Sequence, residues 1–147
     1  MILPEEVGGL ALDFVDQCVV MEEMGRANLP GPFFSNFWGS ALLGESGKKE
    51  PSHSLLEGIA SGEKRVTVAW LEAGASWSAS AIRLSVPESD NIQLTGKKRF
   101  VTDAASADVI LVVVRRGEGY AVIPVPAQGR GVRIEPTPSM DQTRPLF

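Results

Sequence analysis

Apolar positions recur at helical spacing over the first sixty residues, then gather into short β-branched runs, so the chain changes character once, near Gly62. Phe14, Val15, Cys18, Val19, Met21 and Met24 predict a helix from Leu12 to about Gly25, with Asp13 placed to cap the open amides of its first turn. Asn28, Pro30, Gly31 and Pro32 then break the chain, because proline has no amide to continue a helix. A second apolar stretch, Phe33 to Leu43, carries Phe33, Phe34, Phe37 and Trp38 and predicts another helix. Gly44 to Glu50 is a polar loop, and a short third helix is predicted from Pro51 to Ala60, with proline in its first turn.

Beyond Gly62 the pattern predicts strands at Val66–Leu71, Ala81–Val86, Ile92–Leu94, Lys98–Thr102, Val109–Val114, Tyr120–Val125 and Val132–Glu135. Such spacing belongs to an antiparallel barrel or sandwich. Thr95-Gly96 offers a turn residue free to take positive φ, and Arg116-Gly117-Glu118-Gly119 closes another hairpin. The expected class is α+β: residues 1–62 form a helical portion and residues 63–147 a β-domain.

Composition narrows the function classes. With 147 residues, 44% hydrophobic and 22% charged, the sequence is that of a globular protein long enough to build its own core. A lone Cys18 cannot form an internal disulfide, and with a single His53 far from it there is neither a metal site nor a Cys/His nucleophile pair. No apolar run approaches a membrane span, and Met1 to Glu6 shows no basic region before an apolar one, so a cytoplasmic location is expected. The net charge of −4 argues against nucleic-acid binding. It conceals an asymmetry: residues 1–64 hold ten acids and four bases, and residues 65–147 hold eight acids and ten bases.

Two segments carry candidate chemistry. Leu71-Glu72-Ala73-Gly74-Ala75-Ser76-Trp77-Ser78 sets a large indole among small residues, which let a backbone approach a ligand closely. The competing expectation is a loop pinned by a buried Trp77, favoured on residue chemistry alone. In Lys97-Lys98-Arg99-Phe100-Val101-Thr102-Asp103 a basic run leads to an aromatic ring suited to stacking and a hydroxyl suited to hydrogen bonding, although an ordinary strand would look much the same. Carboxylates are plentiful, yet no pair is spaced as acid and base; Glu22-Glu23 and His53 belong to solvated helix faces.

Four segments, in this order, give the chain a resemblance to a known family: Pro4-Glu5-Glu6-Val7-Gly8-Gly9-Leu10; Val20-Met21-Glu22-Glu23-Met24-Gly25-Arg26 with Leu29-Pro30-Gly31-Pro32; Ala60-Ser61-Gly62-Glu63; and Gly96-Lys97-Lys98-Arg99-Phe100-Val101-Thr102-Asp103. Together they resemble the N-terminal helical portion and middle β-domain of the acyl-CoA dehydrogenases, and Asp141-Gln142-Thr143-Arg144 is similar to the stretch that closes the middle domain. The resemblance implies helices followed by an antiparallel β-barrel, without the family's opening helices or its C-terminal helical domain. In the family, FAD lies between the middle and C-terminal domains, a glutamate of the latter removes the α-proton of an acyl-CoA thioester, and hydride passes to the flavin.

What the resemblance implies for individual residues is uneven. The family pattern Thr-Glu-Pro-Gly-x-Gly-Ser-Asp falls on Leu71 to Ser78, where only Glu72 and Gly74 match. Leu71 replaces the hydroxyl that faces the flavin, leaving main-chain groups of Trp70 and Leu71 for that contact, and Trp77, beside Ser78, stands where the family borders the CoA moiety. Phe100-Val101-Thr102 occupies the place of the family's Trp-Ile-Thr and would keep an aromatic and a hydroxyl beside the ring. The implied sites are thus Trp70, Leu71, Phe100, Val101 and Thr102 for FAD and Trp77 and Ser78 for an acyl-CoA, with no catalytic base and no metal. The implied function is that of a dehydrogenase of fatty acid metabolism, inactive alone and completed by a partner acyl-CoA dehydrogenase subunit. The alternative is a non-catalytic, homodimeric assembly module, its interface built on the Phe33 to Trp38 face, or a truncated remnant of the same fold.

Overall fold

The computed structural model describes residues 3–45, 52–89, 92–141 and 143–147. They form two compact units, one ending at Val66 and the other beginning at Thr67.

The first unit opens with a single 3-10 turn, Glu5–Val7, that buries Leu3 and Val7. Helix α1, Phe14–Arg26, starts at Asp13, whose Oδ1 accepts the Asp16 amide at 2.9 Å while Asp16 Oδ2 accepts the Asp13 amide at 3.1 Å. This reciprocal box satisfies two of the donors every helix start leaves open. Asp13→Ala is expected to cost about 1 kcal/mol of stability, read from chemical denaturation with the far-ultraviolet helix signal. At the other end Asn28 takes φ 48°, its amide donates to Gly25 O at 3.1 Å and the Leu29 amide donates to Met24 O at 2.9 Å. The helix is thus closed by a left-handed asparagine before Pro30 is reached.

Helix α2, Phe33–Glu45, follows Pro32, and helix α3, Ser52–Ala60, ends before Gly62 at φ 79°. Residues 46–51, which include most of the expected polar loop and Pro51, lie outside the described residues. Which faces these helices bury is unexpected. Alone on α1, Gln17 is buried, while Phe14, Val15 and Val19 are 65%, 68% and 57% exposed. Helix α2 buries Ser35, Gly39, Ser40 and Leu43 and leaves Phe33 and Phe34 exposed. Small residues let α2 pack closely, and its Asn36 Oδ1 accepts the Val66 amide at 2.7 Å. Only α3 packs as its pattern suggests, through Leu56 and Ile59.

The β-region is a four-stranded mixed sheet rather than a closed antiparallel barrel. Strands β1, Val66–Ala69, and β2, Ser85–Val86, pair with β3, Val109–Arg116, in the order β1-β3-β2. β2 is parallel to β3, and β4, Gly119–Pro126, is antiparallel to it over eight residue pairs, from Val109 opposite Pro126 to Arg116 opposite Gly119. Gly117, at φ 58°, makes the two-residue hairpin between β3 and β4, as Arg116-Gly117-Glu118-Gly119 led one to expect. Pro124 and Pro126 sit in β4, which pairs only with β3 among the described residues, and an edge strand tolerates the missing amides. The core of this unit gathers Ala69, Val101, Ala104, Ile110 and Ala127, with Val112, Val132, Ile134 and Phe147 against it.

Five of the expected strands therefore need correction. At Lys98–Thr102, Phe100 takes φ 55° and breaks the extended run; the segment makes isolated pairings, Val101 with Phe147 and Thr102 with Leu146. Ala81–Val86 keeps only its last two residues as a strand, because Ala79–Ala81 is a 3-10 turn and the Arg83 and Leu84 amides are taken by a carboxylate. Ile92–Leu94 and Val132–Glu135 enter no ladder among the described residues, and the Val132 amide instead folds back on Gly129 O at 3.0 Å. β1 stops short of Leu71 because the Trp70 and Leu71 carbonyls accept from Lys98 and Arg99. Gly96 is not at positive φ; a Cβ there would lie 2.6 Å from a methyl of Leu84, which would have to shift.

Candidate functional site

At the end of β1 the chain runs through Trp70, Leu71 and Glu72 into a turn, closed by the Ala75 amide donating to Glu72 O at 2.9 Å, with Ala75 itself at φ 47°. Beside it lies a small hollow of about 20 Å³ lined by Trp70, Glu72, Gly74, Ala75, Ser76, Ala81 and Ile82. A Cβ at Gly74 would meet nothing, so the small residue keeps this wall low.

The two segments singled out in the sequence run alongside each other here. The Arg99 amide donates to Leu71 O at 2.8 Å, and Lys98 Nζ donates to Trp70 O at 3.1 Å. From Thr67, in β1, Oγ1 reaches Thr102 O at 2.6 Å. Trp70, Leu71, Phe100, Val101 and Thr102 are thus on neighbouring stretches. Leu71 and Val101 are buried and Thr102 is half-buried, whereas Phe100 is 39% exposed, turned outward by its left-handed backbone. Trp77 and Ser78 stand apart on the loop that follows. Trp77 is 66% exposed, so the expectation of a loop pinned by a buried indole is wrong. Short-range hydrogen bonds hold that loop instead: Ser78 N donates to Ser76 Oγ at 3.2 Å and Ser78 Oγ pairs with Ser80 Oγ at 2.7 Å, and the 3-10 turn Ala79–Ala81 follows.

The centre of the arrangement is an ion pair that the sequence reading did not assign. Lys98 Nζ and Glu72 Oε1 are 2.8 Å apart, with side chains only 7% and 16% exposed. Glu72 also accepts the Arg83 amide on Oε2 at 3.0 Å and the Leu84 amide on Oε1 at 3.1 Å. Burial alone would push the Glu72 carboxyl up; the Lys98 hydrogen bond, the Leu84 and Arg83 amides and the ammonium charge together outweigh it, and the group titrates below its ordinary range. One signal was present in the sequence: a glutamate directly after an apolar strand needs a cation. Lys97, Lys98 and Arg99 were equal candidates until the backbone turned Lys98 inward and left Lys97 to pair with Glu135 at the surface.

No group of three or more His, Cys, Asp or Glu side chains among the described residues could hold a metal ion, and no helix is long and apolar enough to cross a membrane. His53 Nε2 lies 3.5 Å from Glu57, and Glu22 and Glu23 pair with Arg26, all at the surface.

Residues 1–63 match the family described as acyl-CoA dehydrogenase, N-terminal domain. Human mitochondrial short-chain specific acyl-CoA dehydrogenase is 30% identical over 140 residues, covering 88% of this chain and 34% of that protein. A probable acyl-CoA dehydrogenase of Bacillus subtilis is 29% identical over 143 residues, covering 91% of this chain and 24% of that protein. The solved ChsE4-ChsE5 complex of Mycobacterium tuberculosis shares the fold with a TM-score of 0.82 at 23% identity, over 99% of this chain and 39% of that one. The chain belongs to the acyl-CoA dehydrogenase family, over its N-terminal and middle domains. It spans about a quarter to a third of the length of these two curated relatives.

Proposed function

We propose that these 147 residues carry one wall of an FAD-dependent acyl-CoA dehydrogenase site and serve the dehydrogenation of an acyl-CoA thioester only when completed by residues outside them, such as those of a partner subunit, that supply the opposing wall and the base. The observation that carries this reading is the Glu72–Lys98 pair. The one carboxylate lining the hollow is committed to an ammonium and two amides and titrates low, which makes it a poor proton acceptor for an α-carbon. The flavin would be held by the outward Phe100 ring, Thr102 and the main chain at Trp70 and Leu71, and these residues suit one face of a flat ring: one exposed aromatic, one hydroxyl and adjacent buried aliphatics. When bound, FAD supplies the hydride acceptor. Leu71 puts a methyl group where a hydroxyl would donate, which costs on the order of 0.5–1.5 kcal/mol of binding. The exposed Trp77, beside Ser78, is the surface along which an acyl-CoA would enter.

Titration of FAD into these 147 residues, followed by flavin absorption and fluorescence, tests the reading together with an acyl-CoA turnover assay. Weak binding with no turnover is the expected result, and turnover by this polypeptide alone would refute it. Thr102→Ala is expected to weaken flavin binding about tenfold, and an affinity equal to wild type removes Thr102 from the site.

A second reading rests on the exposed faces of α1 and α2. Phe14, Val15, Val19, Phe33 and Phe34 form an apolar surface of a kind that marks interaction sites. It adjoins a groove of about 270 Å³ lined by Gln17, Val20, Met24, Phe33, Asn36 and Phe37. In that reading the chain is an assembly module, and sedimentation would show a dimer indifferent to FAD and to acyl-CoA.

A further inference from the structure

The buried ion pair does more than neutralise itself. Its hydrogen bonds tie together three segments that share no continuous ladder: Trp70–Glu72 after β1, Arg83–Leu84 before β2, and Lys98–Arg99. Leu84 O in turn accepts the Arg115 amide at 2.8 Å, so the second of these is anchored to β3. We infer that Lys98 is a positioning residue for the flavin wall: by bridging Glu72 and the Trp70 carbonyl, it sets the spacing between the Trp70–Leu71 main chain and the Phe100–Thr102 segment.

The inference rests on the flavin-binding reading above. Its physical basis is the way the stretch from Lys97 to Phe100 is held. Phe100 sits at φ 55°, and the four residues from Lys97 to Phe100 form no strand, so ladder bonds do not fix their register. Lys98 works there beside the Arg99 amide, which donates to Leu71 O, and Thr67 Oγ1, which donates to Thr102 O two residues beyond Phe100. An ammonium donates in several directions at once, and Lys98 uses this to reach a carboxylate at 2.8 Å and a carbonyl at 3.1 Å. With its side chain 7% exposed, it is held in a dry setting where such bonds are strong and hard to replace by water. Lys98 touches neither flavin nor substrate in this scheme; it acts through Trp70 and Glu72.

The test compares Lys98→Met, which keeps the stem and removes the donors, with Lys98→Arg, which restores a cation with several donors. FAD is the probe, its affinity read from flavin fluorescence. Backbone amide hydrogen exchange at Arg83, Leu84 and Arg99 is measured on the flavin-free protein. Lys98→Met is expected to weaken FAD binding tenfold or more and to speed exchange at those three amides at least tenfold, while Lys98→Arg recovers most of both. Wild-type affinity in Lys98→Met, or a loss that Lys98→Arg fails to recover in a protein that remains folded, overturns the inference. Should the wild-type chain bind no FAD, the flavin-binding reading fails by itself, and the exchange data still decide: unchanged exchange in Lys98→Met shows that Lys98 holds nothing in place.

Discussion

Glu72→Ala is expected to destabilise the second unit by about 3–5 kcal/mol at neutral pH, the range found when one member of a buried ion pair is removed. The size follows from what is left behind. Lys98 remains nine-tenths buried without its counterion, and the Arg83 and Leu84 amides lose their acceptor together. Glu72→Gln keeps an oxygen for one or two of these donors and should cost less, about 1–3 kcal/mol. Denaturant unfolding followed by tryptophan fluorescence reads the difference, because Trp70 adjoins the pair and reports on this unit. The pH dependence separates charge from packing. A carboxyl that titrates lower in the folded state than in the unfolded chain adds stability that is fully present above its ordinary value of 4.5 and is lost as pH falls through the lowered one. Wild-type stability should therefore fall on acidification below that value, and both Glu72 variants should show a shallower acid limb. Asp141, held low by the hydroxyl and amide of Thr143 at the surface, leaves a small residual slope in all three proteins. An acid limb equally steep in Glu72→Gln would mean that the pair does not control stability.

The helices were legible because their boundaries are local chemistry. Asp13 with Asp16, Asn28 before Pro30, and Gly62 after Ala60 each close or open a helix through groups within four residues of one another. Which face a helix buries is not local, and there the pattern misled. The apolar stripe of α1 looks like a core face, yet Phe14, Val15 and Val19 are outward and the buried position is Gln17. The β-region was harder for the same reason. β3 and β4 were visible because a glycine hairpin joins them and every hydrogen bond between them follows from that turn. Lys98–Thr102 alternates like a strand, but its neighbours are set by Glu72 and by Phe147, which lie 26 and 46 residues away from Lys98 and Val101. Side-chain acceptors replaced ladder partners at Arg83 and Leu84, and composition gives no sign of such a replacement. The two candidate segments could be read from the sequence, whereas the choice of Lys98 over Lys97 and Arg99 as the partner of Glu72 could not.

Leu111→Ala is the second large effect to expect, about 2–5 kcal/mol, the range for deleting a fully buried leucine side chain. Leu111 has no exposed surface and lies in β3, the strand with which β1, β2 and β4 all pair. Neighbouring Val112, half-buried and opposite Ile123, supplies the control: Val112→Ala removes less buried area and should cost clearly less. The loss at Leu111 should reach the site as well. β3 also carries Arg115, whose amide holds Leu84 O, and Leu84 donates to Glu72, so a cavity under β3 loosens one support of the carboxylate. Amide exchange at Leu84 should accordingly rise in Leu111→Ala, by about the fold-change that the measured loss of stability predicts. Faster exchange confined to β3 and β4, with Leu84 unchanged, would show instead that the carboxylate and its three donors stand independently of the sheet beneath them.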